Sequence, residues 1–194
     1  MAPGLAPPRT IEVVEHFLNT ADLETGDDDF AGPDELGAWL RRWDLLPPGA
    51  NVTPHDVKRV RAFREALRNL AAANNGVAVT PEDTNILDDV GGRAPLAVRL
   101  SVDGGVLEAC GDGVDAALGK IVGHVYTAMA AGTWPRLKAC ARHSCRWVFY
   151  DRSKNASRTW CSMRVCGNRV KAQKYREHHS SQDPLRRATR GRRR

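Results

Sequence analysis

Residues Cys140 to Tyr175 read CARHSCRWVFYDRSKNASRTWCSMRVCGNRVKAQKY. The stretch holds four of the chain's five cysteines as C-x4-C, fifteen residues, then C-x4-C. Two close pairs joined by a short arm are what one tetrahedral Zn2+ with four thiolates requires. Each pair supplies two ligands from one tight turn, and the arm folds back so that the turns face each other. Cys140, Cys145, Cys161 and Cys166 are the expected ligands. Two disulfides or four unrelated buried cysteines are the alternatives. Disulfides suit a secreted chain, whereas the opening MAPGLAPPRTIEVVEHFL lacks a basic start followed by an apolar run, and a reducing compartment favours thiolates on metal. Unrelated cysteines would have to crowd four into twenty-seven positions when the other 167 residues hold one.

The residues between the pairs fit a small metal-held unit. Arg146 to Tyr150 is aromatic and β-branched and reads as a strand. Asp151 to Asn155 turns the chain, Ala156 to Trp160 runs back, and Cys161 and Cys166 open a helix continuing through Arg176. The order of turn, hairpin and helix-borne pair is treble-clef-like. About forty residues bury too little surface to fold alone, so the metal must hold the shape, with Trp147, Phe149, Trp160 and Val165 as the expected small core. Four thiolates leave no open coordination position for water, so the zinc is structural rather than hydrolytic.

These residues resemble the bacterial CGNR zinc-finger proteins. The signature stands as Cys166-Gly167-Asn168-Arg169, preceded by Trp160-Cys161-Ser162-Met163 and by Trp147-x-Phe149-x-Asp151. That family joins the finger to an N-terminal domain named ABATE, to which Phe17-Leu18-Asn19-Thr20 and Arg64-Glu65-Ala66-Leu67 are similar. The resemblance implies a DNA-binding, stress-linked transcription regulator.

Charge points independently toward a polyanion. The net +6 over 194 residues conceals two halves: residues 1–134 sum to −9 and residues 135–194 to +15. With four thiolates and one Zn2+ counted, about +13 remains on the second half. A surface that basic draws nucleic acid first. Two places offer contacts. The loop after the strand carries Arg152, Lys154 and Arg158 among short hydroxyl and amide side chains that suit phosphate. The helical segment supplies Arg164, Arg169, Lys171 and Lys174, with Asn168 and Gln173 able to reach adenine edges in a major groove. Asn168 and Arg169 also have a structural alternative: beside a zinc ligand, one can cap the helix and the other can bond nearby carbonyls.

The first half reads as helical. Thr10 is the expected cap of a helix whose apolar positions 11, 14, 17, 18 and 21 make one stripe. Pro33-Asp34-Glu35 opens a second helix, with Leu36, Trp39, Leu40 and Trp43 on its apolar face. Thr53-Pro54-His55-Asp56 and Thr80-Pro81-Glu82-Asp83 are paired opening signals. They start a helix stopped by Asn74-Asn75-Gly76 and a shorter one reaching Asp89 and closed by Gly91-Gly92. Pro95–Val102 and Val106–Cys110 form a hairpin through Asp103-Gly104-Gly105. A last helix spans Asp112 to Ala131, with Val114, Ala117, Leu118, Ile121, Val122, Val125, Tyr126 and Met129 inward. Cys110 reads as a buried small apolar residue. The acidic loop Glu24–Asp29 reads as solvated, because it lacks a calcium-loop ligand pattern.

The expected architecture is therefore mainly α, of the α+β class: a disordered segment 1–9, a helical sensing or pairing domain with one β-hairpin over 10–134, a Zn(Cys)4 finger over 135–180, and a disordered basic tail over 181–194. No apolar run of eighteen residues marks a membrane span. No nucleophile–base pair, carboxylate pair, P-loop or dinucleotide fingerprint marks an enzyme. The expected function is a cytoplasmic, nucleoid-associated regulator that binds double-stranded DNA, as a homodimer or under a small-molecule effector. Asn19, Trp39 and Arg64 are the candidate effector contacts, polar or amphipathic groups on apolar helical faces. The alternatives are an RNA- or ribosome-associated basic zinc module and a protein-interaction zinc module.

Overall fold

Paired caps fix where two of the front-half helices begin. At Thr53 the hydroxyl accepts from the Asp56 amide while the Asp56 carboxylate accepts from the Thr53 amide, and Thr80 with Asp83 repeats the arrangement. Each is followed by Pro at the first helical position, where no amide is needed. The computed structural model describes residues 7–102 and 104–181. Its helices are α1 (Arg9–Leu18), α2 (Pro33–Arg42), α3 (Pro54–Ala73), α4 (Pro81–Arg93), α5 (Gly113–Ala130) and α6 (Asn168–Ser181). Its strands are β1 (Leu96–Ser101), β2 (Gly104–Ala109), β3 (Leu137–Ala139) and β4 (Val148–Tyr150), in two separate antiparallel hairpins. Asp103, expected from the sequence in a turn, the first six residues of the expected disordered segment and the tail beyond Ser181 lie outside the described residues.

Several expectations are corrected. Pro8, not Thr10, stands at the N-cap of α1. Helix α4 passes through Gly91 and Gly92 to Arg93. Tyr126 and Met129 face outward and Cys110 is exposed. In the finger, 156–160 forms no strand, and β4 pairs instead with β3 upstream, in the register Leu137 to Tyr150 and Ala139 to Val148. Trp147 and Val165 are exposed, so the small core is Phe149 and Trp160 against the cysteines.

One apolar core runs through α1, α2, α3 and α5 and continues into the finger's hairpin. Leu137 and Ala139 of β3, and Val148 and Tyr150 of β4, belong to the same buried cluster as Phe17, Phe63, Leu67 and Ile121. The two-residue period of a strand divides β4 between two environments: Val148 and Tyr150 enter this core, while Phe149 points to the cysteines.

The side chains of α1 and α3 complete the finger's backbone hydrogen bonding. Asn19 pairs with Val148 as a neighbouring strand would: its Nδ2 donates to the Val148 carbonyl at 2.8 Å, and its Oδ1 accepts from the Val148 amide at 2.8 Å. Asn74 donates to the carbonyls of Trp134 and Leu137, and Asn75 to those of Ala139 and Thr159. Arg68, fully buried, donates to the carbonyls of Leu18, Ala21 and Arg146 and pairs with Glu65. The Asn74-Asn75 pair, read in the sequence as a helix stop, thus also docks the finger.

Candidate metal centre and basic face

The β3–β4 hairpin closes tightly enough to turn Cys140 and Cys145 toward one point. The Cys140 amide donates to the Trp147 carbonyl, and Arg146 adopts a left-handed backbone (φ 50°) after the turn. Of the second pair, Cys166 sits on a π-helical turn, Met163–Gly167, opened by the Ser162 hydroxyl accepting from the Val165 amide and running directly into α6. Cys161, expected at the start of a helix, stands in a bend before it. The four thiols converge with all sulfurs within 4.8 Å of one another. Cys145 and Cys161 sulfurs stand 3.7 Å apart, Cys161 and Cys166 3.6 Å. A zinc tetrahedron with Zn–S near 2.3 Å has edges of about 3.8 Å, whereas a disulfide needs about 2.05 Å. The spacing fits one shared cation and no disulfide.

Electrostatics agree. Burial and the neighbouring thiols push the Cys161 thiol far up, and burial, offset in part by a hydrogen bond with Cys161, leaves Cys166 at about 11. Cys140 moves the other way: against burial, backbone hydrogen bonds at Cys161 and Arg142 lower it. Four thiolates cannot ionise side by side without a countercharge, and a divalent soft-accepting ion supplies it. The finger holds one structural zinc, with no coordination position left over.

The rest of the signature is packed against this centre. A Cβ added at Gly167 would meet the Met163 sulfur at 2.5 Å and Trp160 at 3.4 Å, so a side chain there would have to displace the exposed Met163 thioether. Asn168 donates to the Arg164 carbonyl at 3.1 Å. Arg169 pairs at 2.5 Å with Glu24 of the acidic loop, which also pairs with Arg142. Hydrogen bonds from Arg142 and Arg169 hold the Glu24 carboxyl below its ordinary value. The loop expected to be merely solvated therefore holds the finger.

The strand-to-helix loop is built around a buried pair that neither spacing nor periodicity singles out. Lys138, 5% exposed, meets the fully buried Asp151 at 3.1 Å and also donates to the carbonyls of Ala156 and Arg158. Asp151 accepts further from the Ser153 and Arg158 amides. Against burial, these bonds and Lys138 lower the Asp151 carboxyl to about 2. Arg136 ties the carbonyls of Asp151 and Ser153. In the sequence Asp151 ends the Trp147-x-Phe149-x-Asp151 stretch and Lys138 stands inside an otherwise apolar triplet, but neither points to the other.

The expected nucleic-acid residues thus divide into two sets. Arg158 donates to the Cys161 carbonyl at 2.6 Å and lies over the Phe149 ring at 4.7 Å; with Asn168 and Arg169 it is engaged within the protein. Arg152, Lys154, Arg164, Lys171 and Lys174 are exposed. The three expected effector contacts are engaged too and line no common cavity among those described. Asn19 is bonded to Val148 as above. Arg64, 3% exposed, forms paired hydrogen bonds with Asp28 at 2.8 Å and lies over Phe30. Trp39 packs on Phe17, Phe30 and Trp43.

Two family models match the chain. One, ABATE, described as "Putative stress-induced transcription regulator", covers residues 12–142. The other, described as CGNR zinc finger, covers 136–179. They overlap over 136–142, the stretch containing β3 and Cys140, where the shared core crosses from one to the other. No curated protein matches the chain. No helix among the described residues is long and apolar enough to cross a membrane.

Proposed function

The chain belongs to the ABATE family and carries a CGNR zinc finger, and on that footing we propose that it is a transcriptional regulator that binds double-stranded DNA through the finger. We take the binding unit to be 135–180, carried by a sensing or pairing domain over 10–134, in a cytoplasmic, nucleoid-associated protein that is not an enzyme. The observation that carries this reading is the exposed cation set beside a rigid metal centre. Lys154, Arg164, Lys171 and Lys174 have no carboxylate partner among the described residues, and the loop that presents Arg152 and Lys154 is held from beneath by Lys138, Asp151 and Arg136. Such groups bind phosphate oxygens, which sets affinity and register without reading sequence. Asn168, Arg158 and Arg169 act first as supports of the finger, with Arg169 available to phosphate once it leaves Glu24.

Fluorescence anisotropy with the full-length zinc-loaded protein tests this, using a duplex library and a structured RNA across a salt series. The expected result is a preference for duplex DNA. A Lys154→Gln, Lys171→Gln, Lys174→Gln variant should flatten the slope of log K against log salt by about 0.9 for each phosphate no longer neutralised. Glu24→Gln, which frees Arg142 and Arg169, should tighten binding by several-fold. Tighter binding to the RNA would favour the ribosome- or RNA-associated alternative. Salt-independent or undetectable nucleic-acid binding would leave a protein-interaction module.

A further inference from the structure

A cleft of about 1000 Å³ opens between the β1–β2 hairpin, α5, the start of α1 and the end of α2. Its shape follows from two glycines. A Cβ at Gly119 would meet Ala94 at 3.0 Å and Ala109 at 3.2 Å, and one at Gly123 would meet Leu107 at 3.8 Å. The root of the hairpin therefore lies directly on α5. Farther out the same face continues with nothing beneath it: the register pairs Val98 with Leu107 and Leu100 with Gly105, and Val98 and Leu100 are 64% and 84% exposed. Val13 and Trp43 form the facing wall, with Trp43 held against His16 and Trp39.

The cleft's charge is one-sided. Arg9, Arg42 and Lys120 line it against the single carboxylate of Asp44. Arg9 and Arg42 have no ion-pair partner among the described residues. Lys120 is held by the carbonyls of Asp44 and Leu45, at 2.9 and 3.1 Å, neutral groups that fix its position and leave its charge uncancelled. Helix α1 begins at the cleft without a side-chain cap, which adds the positive end of its dipole. His124 also lines the cleft; burial and then Lys120 lower its pKa, so at neutral pH it is a hydrogen-bonding group rather than another cation. An apolar wall disfavours a heavily hydrated sugar or free phosphate, while unbalanced cations favour an anion.

We propose that this cleft binds a small organic monoanion with an apolar body, a carboxylate on an aliphatic or aromatic frame. The body lies between Val98, Leu107 and Trp43, and the carboxylate is held by Arg9, Arg42 and Lys120. This places an effector site in the front half, on residues other than Asn19, Trp39 and Arg64, and it stands whether or not the finger binds DNA.

Calorimetry on the full-length zinc-loaded protein tests it, with octanoate, decanoate and 2-naphthoate as probes and octanol and 2-naphthylmethanol as neutral counterparts. At least one carboxylate should bind with a Kd of ~10–100 μM, about tenfold or more tighter than its alcohol. The Arg9→Gln, Arg42→Gln double variant alters only exposed side chains and should weaken the carboxylate by about tenfold while leaving the alcohol unchanged. Val98→Asp, also at an exposed position, should abolish carboxylate binding. The proposal is overturned if no carboxylate binds below about 1 mM, if the alcohols bind as well as the acids, or if both variants bind the acids like the wild type.

Discussion

The two hairpins invert the usual relation between strand length and structural weight. β1 and β2 have six residues each and an alternating or apolar pattern, yet Val98, Leu100 and Val106 remain largely exposed. β3 and β4 have three residues each, and all six are buried. The short hairpin is sandwiched: one face joins the main core, and the other holds Phe149 to the metal centre and Lys138 to Asp151. An isolated hairpin is marginal in water whatever its length. The weight a hairpin carries is set by what covers its faces, and here metal covers one face of the shorter.

Removing zinc is the largest perturbation available to this contrast. Structural zinc contributes on the order of 10–16 kcal/mol in comparable peptides, the size of a whole domain's net stability. Because Val148 and Tyr150 sit in the core shared with α1 and α3, chelation or Cys166→Ser should destabilise the front half as well as the finger. Thermal unfolding followed at front-half probes should shift down by more than about 10 °C, and amide exchange at Val148 and Tyr150 should accelerate. A front half that melts unchanged while the finger exchanges freely would show two independent units and refute the shared-core account.

The buried pair beneath the loop is next. Asp151→Asn strands the Lys138 ammonium in a site from which water is excluded, a loss of ~3–5 kcal/mol. The sign is fixed by the depressed carboxyl. Its contribution is complete above the ordinary carboxylate pKa, hence at pH 7, and is lost progressively as pH falls below that value and through about 2. Urea midpoints at pH 7 are thus the right comparison. Lys138→Met combined with Asp151→Asn should recover part of the loss, since removing both charges costs less than orphaning one. A double variant no more stable than the single would mean that the lysine's bonds to the Ala156 and Arg158 carbonyls, not its charge, organise the loop.

What was legible in the sequence followed from local signals. Four cysteines at fixed spacing, two Thr-Pro-x-Asp openings and two apolar runs flanking glycines each carry their geometry within a few residues, and the ligands, both capping boxes and the β1–β2 pairing came from them. Gly104 and Gly105, expected in the turn, stand instead in β2 opposite Ser101 and Leu100. What was not legible depends on partners far along the chain. Asn19 lies 129 positions from Val148, and Glu24 lies 145 from Arg169. Neither residue differs locally from a helix-end amide or a loop carboxylate. The same limit split the finger's cations: loop composition offered Lys154 and Arg158 alike as candidate phosphate contacts, and only packing shows that Arg158 is spent on Phe149 and the Cys161 carbonyl. β3 was missed because a strand of three residues with a central lysine is too short for periodicity to register.

The smallest expected effects give the most direct comparison, because one substitution can be made in both hairpins. Valine and threonine have nearly the same shape and both favour strands, so Val→Thr changes little except an added hydroxyl. At Val148, fully buried, that hydroxyl must find a partner or lose its hydration. The neighbouring backbone groups are already taken by Asn19, and the expected cost is ~1–3 kcal/mol. At Val98 the hydroxyl reaches water, and stability should change by no more than about 0.5 kcal/mol. Urea unfolding of the two variants under identical conditions measures the difference directly. Equal costs would mean that Val98 is covered in solution, by a second copy of the chain or by a ligand retained in the cleft, and mass measurement of the native protein would then distinguish those two occupants.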